Sequence, residues 1–347
     1  MDKIRRFSWN IREDPFLDSF SRHDRTRLIG AFAMAMREGR FSTKSHDTCA
    51  ESTIRGTIFY VSATFRDNGR VNPTKDEDGE LNRVLSRLFR AFRNKDPNPK
   101  QQKALPALVL QMMYKNKETE THVAIGQLGI GAFFWAMRSC EYLKVSQAEK
   151  KRMDILRLRN VRFFKDGISL SHDNPLCEFA DSVAITFEFQ KKDERNDTVT
   201  QLDTDHPYLS PVRIWYAIVK RIRKYPGTND NTPVSAVWRN GRIQHVTSEE
   251  MVVSLRAAVA AIGEEKFGFK CSEIGTHSLR SGAAMAMFLD NVPVYTIMMI
   301  GRWSSDAFLK YIRKQVEQFS HNVAKRMIKN LFYRHIPDVE PRVSHLD

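Results

Sequence analysis

Hydrophobic positions recur at helical spacing over most of this chain and alternate at strand spacing in one short region. In the first 40 residues, "HDRTRLIGAFAMAMREG" is the one segment that predicts a helix, with Asp24 placed to cap it and Gly39 to end it. "AESTIRGTIFYVSATFRDNG" predicts a second helix, stopped at Asn68-Gly69, and the loop "RVNPTKDEDGE" follows. "LNRVLSRLFRAFRNK" predicts a third. At about 100° per residue, Val84, Leu85, Leu88 and Phe92 fall on one side. Arg83, Arg87 and Arg90 fall on the other, with Arg93 beside them and no acid on that stripe. The stripe is either a solvated face or a surface that meets phosphates.

"KDPNPKQQKALP" (95–106) holds three prolines and few apolar residues, the composition of an extended linker. It divides a helical unit (1–100) from a second domain (106–335). There, "HVAIGQLGIGAFFWAMRSCEYLKV" predicts a long buried helix ending near Arg138. "VRFFKDGISL" and "SVAITFEFQ" read as strands, "KKDERND" as a turn and "TVTQLD" as a third short strand. "PVRIWYAIVKRIRKYP" is a helix with Pro211 at its start, and "SEEMVVSLRAAVAAIG" another with Ser248 as its cap. "NVAKRMIKNLF" predicts a last helix in the tail. The fold class expected is mainly α with a small antiparallel β-sheet (α+β). The sequence has neither internal repeats nor a low-complexity tract.

Charge narrows the partners. The 347 residues carry 55 Lys+Arg against 41 Asp+Glu, a formal +14, which favours a polyanion. Hydrophobic content of 41% supports a packed core. No apolar run reaches the roughly 18 residues that span a bilayer. The polar N-terminus matches neither a signal peptide nor an anchor, so a nucleic acid is expected rather than a membrane. Cys49, Cys140, Cys177 and Cys271 are widely spaced, which argues against a disulfide framework or a zinc module and for small buried thiols. A phosphate-binding Gly-x-x-x-x-Gly-Lys loop and the carboxylate cluster of a two-metal nuclease are both missing from the sequence, so neither ATP nor a metal cofactor is expected.

The candidate chemistry lies in "GTHSLRSGAAMAMFLDNVPVYTIMMIGRWSSDAFLKYIRKQ" (275–315). His277 and Arg280 are three apart and share a helix face. Trp303 follows Arg280 by 23 residues, and Tyr311 follows Trp303 by eight. Singly, each reads as packing or a structural histidine. Upstream, "MRSCEYL" holds Arg138 and, three residues on, Glu141. In this order the set resembles the tyrosine recombinase family of DNA strand-transfer enzymes: Arg-x-x-Glu, His-x-Leu-Arg, a downstream His or Trp, then a Tyr. The wording "GRWSSDAFLKYIR" is most similar to recombinases of eukaryotic mobile elements, the tyrosine-recombinase retrotransposons and Crypton-like transposons. Many members place nine residues between the last two positions; a tighter turn at "SSDA" would absorb the difference.

The resemblance implies a helical core-binding domain followed by a catalytic domain. It also implies roles. Arg138 and Arg280 would clamp the phosphate and Tyr311 would attack it, forming a 3′-phosphotyrosine. A lysine in the turn "QKKDERND", Lys192 or equally Lys191, would protonate the leaving oxygen. His277 would move a proton near the tyrosine, Trp303 would give an indole N–H to the phosphate, and Glu141 would orient Arg138. The partners implied are double-stranded DNA and further copies of the chain, a homotetramer on two DNA sites, with the tail helix folding onto its own domain or docking on a neighbour. The place expected is the nucleus of a eukaryotic host, otherwise the cytoplasm, and not outside the cell. Two other readings stay open, a catalytically inactive DNA-binding protein with the same fold and a type IB topoisomerase.

Overall fold

The computed structural model describes residues 2–41, 48–97, 102–144, 155–189, 195–305 and 309. The chain forms two compact units, Met1–Pro99 and Lys100–Asp347. Tyr311, Lys191, Lys192 and the predicted tail helix lie outside the described residues.

Among its described residues the first unit holds four helices: α1 (Asp2–Asn10), α2 (Arg22–Arg37), α3 (Glu51–Asp67) and α4 (Arg83–Lys95). The sequence reading misses α1 because charges surround its two apolar anchors. Ile4 and Phe7 are three apart and both buried, and the Phe7 ring lies 5.4 Å from Phe32. The cap of α2 is Ser21 rather than Asp24: the Ser21 hydroxyl accepts the Asp24 N–H at 3.2 Å, which puts Asp24 three residues inside the helix. Gly39 does end it, at φ 74°.

On α4 the buried residues are Leu85, Phe89 and Phe92, while Val84 is 57% exposed. Phe89 stands about 40° from Leu85 around the helix and Val84 about 100°, so Phe89 belongs to the core face. Arg83, Arg87, Arg90 and Arg93 are all exposed. Arg93 nevertheless has a balancing acid, supplied from α3: its Nη2 lies 3.2 Å from Glu51 Oε1. Asp96 ties the unit together. It accepts the Glu51 N–H at 2.7 Å and pairs with Arg37, and these bonds, the backbone one first, hold its carboxyl below the usual range.

The second unit opens with α5 (Ala107–Lys115) and α6 (Glu120–Phe134). Of the expected linker (95–106), Lys95 closes α4, while 102–106 form neither helix nor strand and bury Leu105 in the core just before α5. The two helices approach closely at Gly126, where an added Cβ would stand 3.0 Å from the Met113 carbonyl. The helix expected to run to Arg138 stops at Phe134. Ala136 turns the chain at φ 43°, and the short α7 (Ser139–Tyr142) begins after Arg138.

The antiparallel sheet contains β1 (Val161–Lys165), β2 (Ile168–Leu170), β3 (Ser182–Phe189) and β4 (Arg195–Leu202), in the order β2-β1-β3-β4. The segment 161–170 is thus a hairpin, not one strand; Asp166 and Gly167, at φ 51° and 77°, make its turn. A second hairpin, β5 (Ala236–Arg239) with β6 (Arg242–His245), turns at Asn240-Gly241 in the same way and is absent from the sequence reading. Between the hairpins lies α8 (Pro211–Arg223), capped by Ser210. Then come α9 (Ser248–Ile262), α10 (Glu264–Phe267), α11 (His277–Leu289) and α12 (Val294–Gly301). The cap of α9 is Thr247, one residue before the expected Ser248, in a reciprocal box with Glu250.

The core of this unit runs from α6 to the sheet and α8. Trp135 and Trp215 meet edge to face at 5.9 Å, and Leu128, Ile185, Val219, Leu255 and Leu279 are buried around them. All four cysteines are free thiols, but only Cys177 is buried; the others are partly exposed. Among the described residues no helix is long and apolar enough to cross a membrane.

Candidate active site

The site is built where four chain segments meet: the end of α6, the start of α7, the start of α11 and the end of α12. Trp135 fixes the first of these. It is buried, and its indole N–H donates to the Val199 carbonyl on β4 at 2.9 Å. The turn at Ala136 then brings out Arg138. The Arg138 backbone N–H donates to Glu141 Oε2 at 2.8 Å, and its Nη1 donates to Oε1 at 2.9 Å. One helical turn therefore closes on its own arginine, as the Arg-x-x-Glu spacing allows.

Glu141 is 2% exposed and holds a second arginine as well. Arg302 Nη2 donates to Glu141 Oε2 at 2.7 Å. Arg302 also donates from Nη1 to the Trp135 carbonyl at 3.0 Å and to the Ile300 carbonyl at 3.1 Å. Its guanidinium lies 3.6 Å from the Phe187 ring centroid. Its backbone is left-handed, at φ 54°, which turns the side chain inward at the end of α12. Burial pulls the Arg302 guanidinium below its ordinary value, and the Glu141 charge opposes that pull. The sequence reading misses Arg302. Its one signal is an arginine closing the apolar run "YTIMMIG", directly before Trp303.

Arg280 is the third cation. On α11 it is 1% exposed, and it spans two segments. Its Nη1 donates to the Ala136 carbonyl, and its Nη2 donates to the Gly301 carbonyl at 2.7 Å. Trp303 packs on it, with the guanidinium 4.2 Å from the ring centroid. That packing needs Gly301, where an added Cβ would collide with the indole. Trp303 thus meets Arg280 through its ring.

His277 opens α11 and keeps solvent access. Lost hydration at its ring, then the positive charges of Arg280 and Arg138, move the imidazole below its ordinary value. Both effects favour the uncharged imidazole, a base, beside these cations. Arg138, Glu141, His277, Arg280 and Trp303 are therefore brought together, with Arg302 added. Arg83, Arg87, Arg90 and Arg93 belong to the first unit. The cluster concentrates a surplus of positive charge around one carboxylate; the Arg280 and Arg302 guanidiniums are bonded to protein oxygens, while Arg138 and His277 reach solvent. Such a group stabilises charge on the oxygens of a bound anion.

No protein-family model matches the sequence, and no curated protein matches it. Solved structures match in fold. The XerH site-specific recombinase, in a pre-cleavage complex with its difH substrate, is 13% identical; the match covers 94% of this chain and 76% of that one at a TM-score of 0.50. The integrase of the Tn1549 transposon, in complex with circular intermediate DNA, is 12% identical over 88% of this chain and 85% of that one, at a TM-score of 0.47. The XerA recombinase is 12% identical over 96% of this chain and 99% of that one, at a TM-score of 0.36. The likeness to XerH is one of fold, and it is the fold the ordered residues implied, a tyrosine-recombinase architecture, mainly helical with a small antiparallel sheet, to which the β5–β6 hairpin is added.

Proposed function

We propose that the protein is a DNA recombinase or integrase that cleaves and rejoins strands through a 3′-phosphotyrosine on Tyr311. The observation that carries this is the enclosed arginine cluster, Arg138 and Arg302 on one buried Glu141 with Arg280 under Trp303. A phosphodiester resists attack because it is anionic, and its transition state gathers further charge on the non-bridging oxygens. Arginines meet that charge with paired donors that stay protonated.

In this reading the Tyr311 oxygen attacks phosphorus and its proton passes to the His277 imidazole, whose uncharged form the neighbouring cations favour. The bond to the 5′-oxygen breaks as Lys192, or Lys191, protonates that oxygen. The phosphotyrosine keeps the ester bond energy until a 5′-hydroxyl attacks and releases the tyrosine. Double-stranded DNA is the partner. The +14 charge and the exposed Arg83, Arg87 and Arg90 support this, as does the DNA complex of XerH, which shares the fold. The first unit is the core-binding domain in this reading. The wording around "GRW" supports a source in a eukaryotic mobile element.

The reading is tested by incubating the full chain with end-labelled nicked duplexes from a random-sequence pool. Label that stays with the protein through denaturing electrophoresis supports it. A pool that is bound but never joined to protein contradicts it. A second reading, an inactive DNA-binding protein, is favoured by the enclosure of Arg280 and its bonds to two carbonyls. The same gel separates the two.

A further inference from the structure

The helix that carries His277 and Arg280 has no cap of its own. The residue before it, Thr276, has helical backbone angles and makes no side-chain cap bond. Yet the first N–H of α11 is satisfied. The His277 N–H donates at 2.9 Å to the side-chain oxygen of Gln102, which is 175 residues earlier. A backbone N–H needs an acceptor, so the Gln102 amide must turn its oxygen to it.

Gln102 is the first described residue of a strap laid along the start of α11. The Lys103 N–H donates to the Glu273 carbonyl at 3.0 Å, and the Leu105 N–H to the Ser278 carbonyl at 3.1 Å. Lys103 Nζ lies 3.7 Å from Glu273 Oε1, and Leu105 is buried in the core. Two glycines leave room for it. A Cβ at Gly275 would collide with the Gln102 side chain, and one at Gly282 with the Leu105 backbone. The strap is thus bonded at three successive backbone or side-chain points and fitted to glycines on the other side.

We propose that Gln102 is a positioning residue for the strand-transfer reaction: by capping α11 from the strap it fixes the backbone of His277, and so the place of the imidazole beside Arg280 and Arg138. This rests on the reading of His277 and Arg280 as catalytic. Gln102 touches neither DNA nor the reacting atoms in this proposal; it acts through the helix it caps.

The test uses the full chain, labelled with nitrogen-15, and three variants. Gln102→Ala speeds exchange of the His277 amide about tenfold, as the loss of one cap predicts. It slows adduct formation on a nicked duplex by a similar factor, with DNA affinity unchanged. Gln102→Glu keeps an acceptor, so the amide stays protected. Its carboxylate raises the midpoint of the His277 ring titration, against the effect of Arg280 and Arg138, the charged groups that bear on that ring. The acid limb of the rate profile moves up with it. Gly282→Ala pushes the strap away without touching Gln102 and reproduces the exchange and rate changes of Gln102→Ala. Unchanged His277 exchange in Gln102→Ala overturns the proposal, as does faster exchange with a wild-type cleavage rate and pH profile. If the wild-type protein forms no adduct, the recombinase reading has failed and the amide and ring measurements still decide the strap: an unmoved His277 midpoint in Gln102→Glu overturns it.

Discussion

Among single residues, Glu141 bears the largest burden. It is enclosed with Arg302, whose side chain is fully buried, and it holds Arg138 with its other oxygen. Removing its charge while keeping its shape strands two guanidiniums. Glu141→Gln should therefore destabilise the second unit by about 3 kcal/mol, read as a lower denaturant midpoint. A midpoint within about 0.5 kcal/mol of wild type would mean that the pair contributes little. Lys192 is the residue to test for the leaving group. Lys192→Ala should slow cleavage, and a 5′-phosphorothiolate should largely restore it, because a thiolate leaves without a proton. Rescue confined to Lys191→Ala would move the acid back one position. The sequence exposed Arg138, Glu141, His277, Arg280 and Trp303 through their order, which no single residue carries. Arg302 stayed hidden because its role comes from a left-handed backbone and from burial, and neither has a residue signature. Gln102 stayed hidden because its partner is 175 residues away.

Elements were legible where periodicity was strong, and blurred where a turn or cap shifted the frame. The helices α3 and α8 stand as read, because long apolar stripes and flanking Gly or Pro define them. The turns Asp166-Gly167 and Asn240-Gly241 both carry a hairpin signal; the first lies inside "VRFFKDGISL", which reads as one strand, and the second joins strands of four residues each, AVWR and RIQH, too short and too polar to stand out. Both misplaced caps share one cause: the wrong residue, Asp24 or Ser248, is itself a capping type and sits within one turn of the right one. On α4 the apolar side moved by one position, to Phe89, and left the arginine stripe exposed. Neutralising Arg83 and Arg87 should weaken DNA binding and reduce its salt slope by about 0.9 for each phosphate that is no longer neutralised. Neutralising Arg93 should change it less, since Glu51 already holds that charge. Equal slopes for wild type and the double variant would remove the stripe from the interface.

At the scale of the molecule, the units Met1–Pro99 and Lys100–Asp347 each carry a core of their own. The change from helical stripes to mixed helix and strand was visible in the sequence. The strap was not, because prolines and polar residues mark a segment as extended without saying what it lies against. The tail, with Val323, Met327, Ile328 and Leu331 at helical spacing, is proposed to dock on a neighbouring copy. Deleting residues 321–347 should then leave binding to one DNA site nearly intact and abolish pairing of two sites in sedimentation. Paired sites in the truncated protein, or an unfolded protein, would contradict that role. The central claim is the nucleophile, and one comparison reaches it. Wild type and Tyr311→Phe are incubated with the same nicked duplex, and covalent adduct is measured on a denaturing gel beside a binding isotherm. Phenylalanine keeps the ring and removes only the attacking oxygen. The account predicts adduct from wild type alone with equal binding by both; adduct from Tyr311→Phe would contradict it.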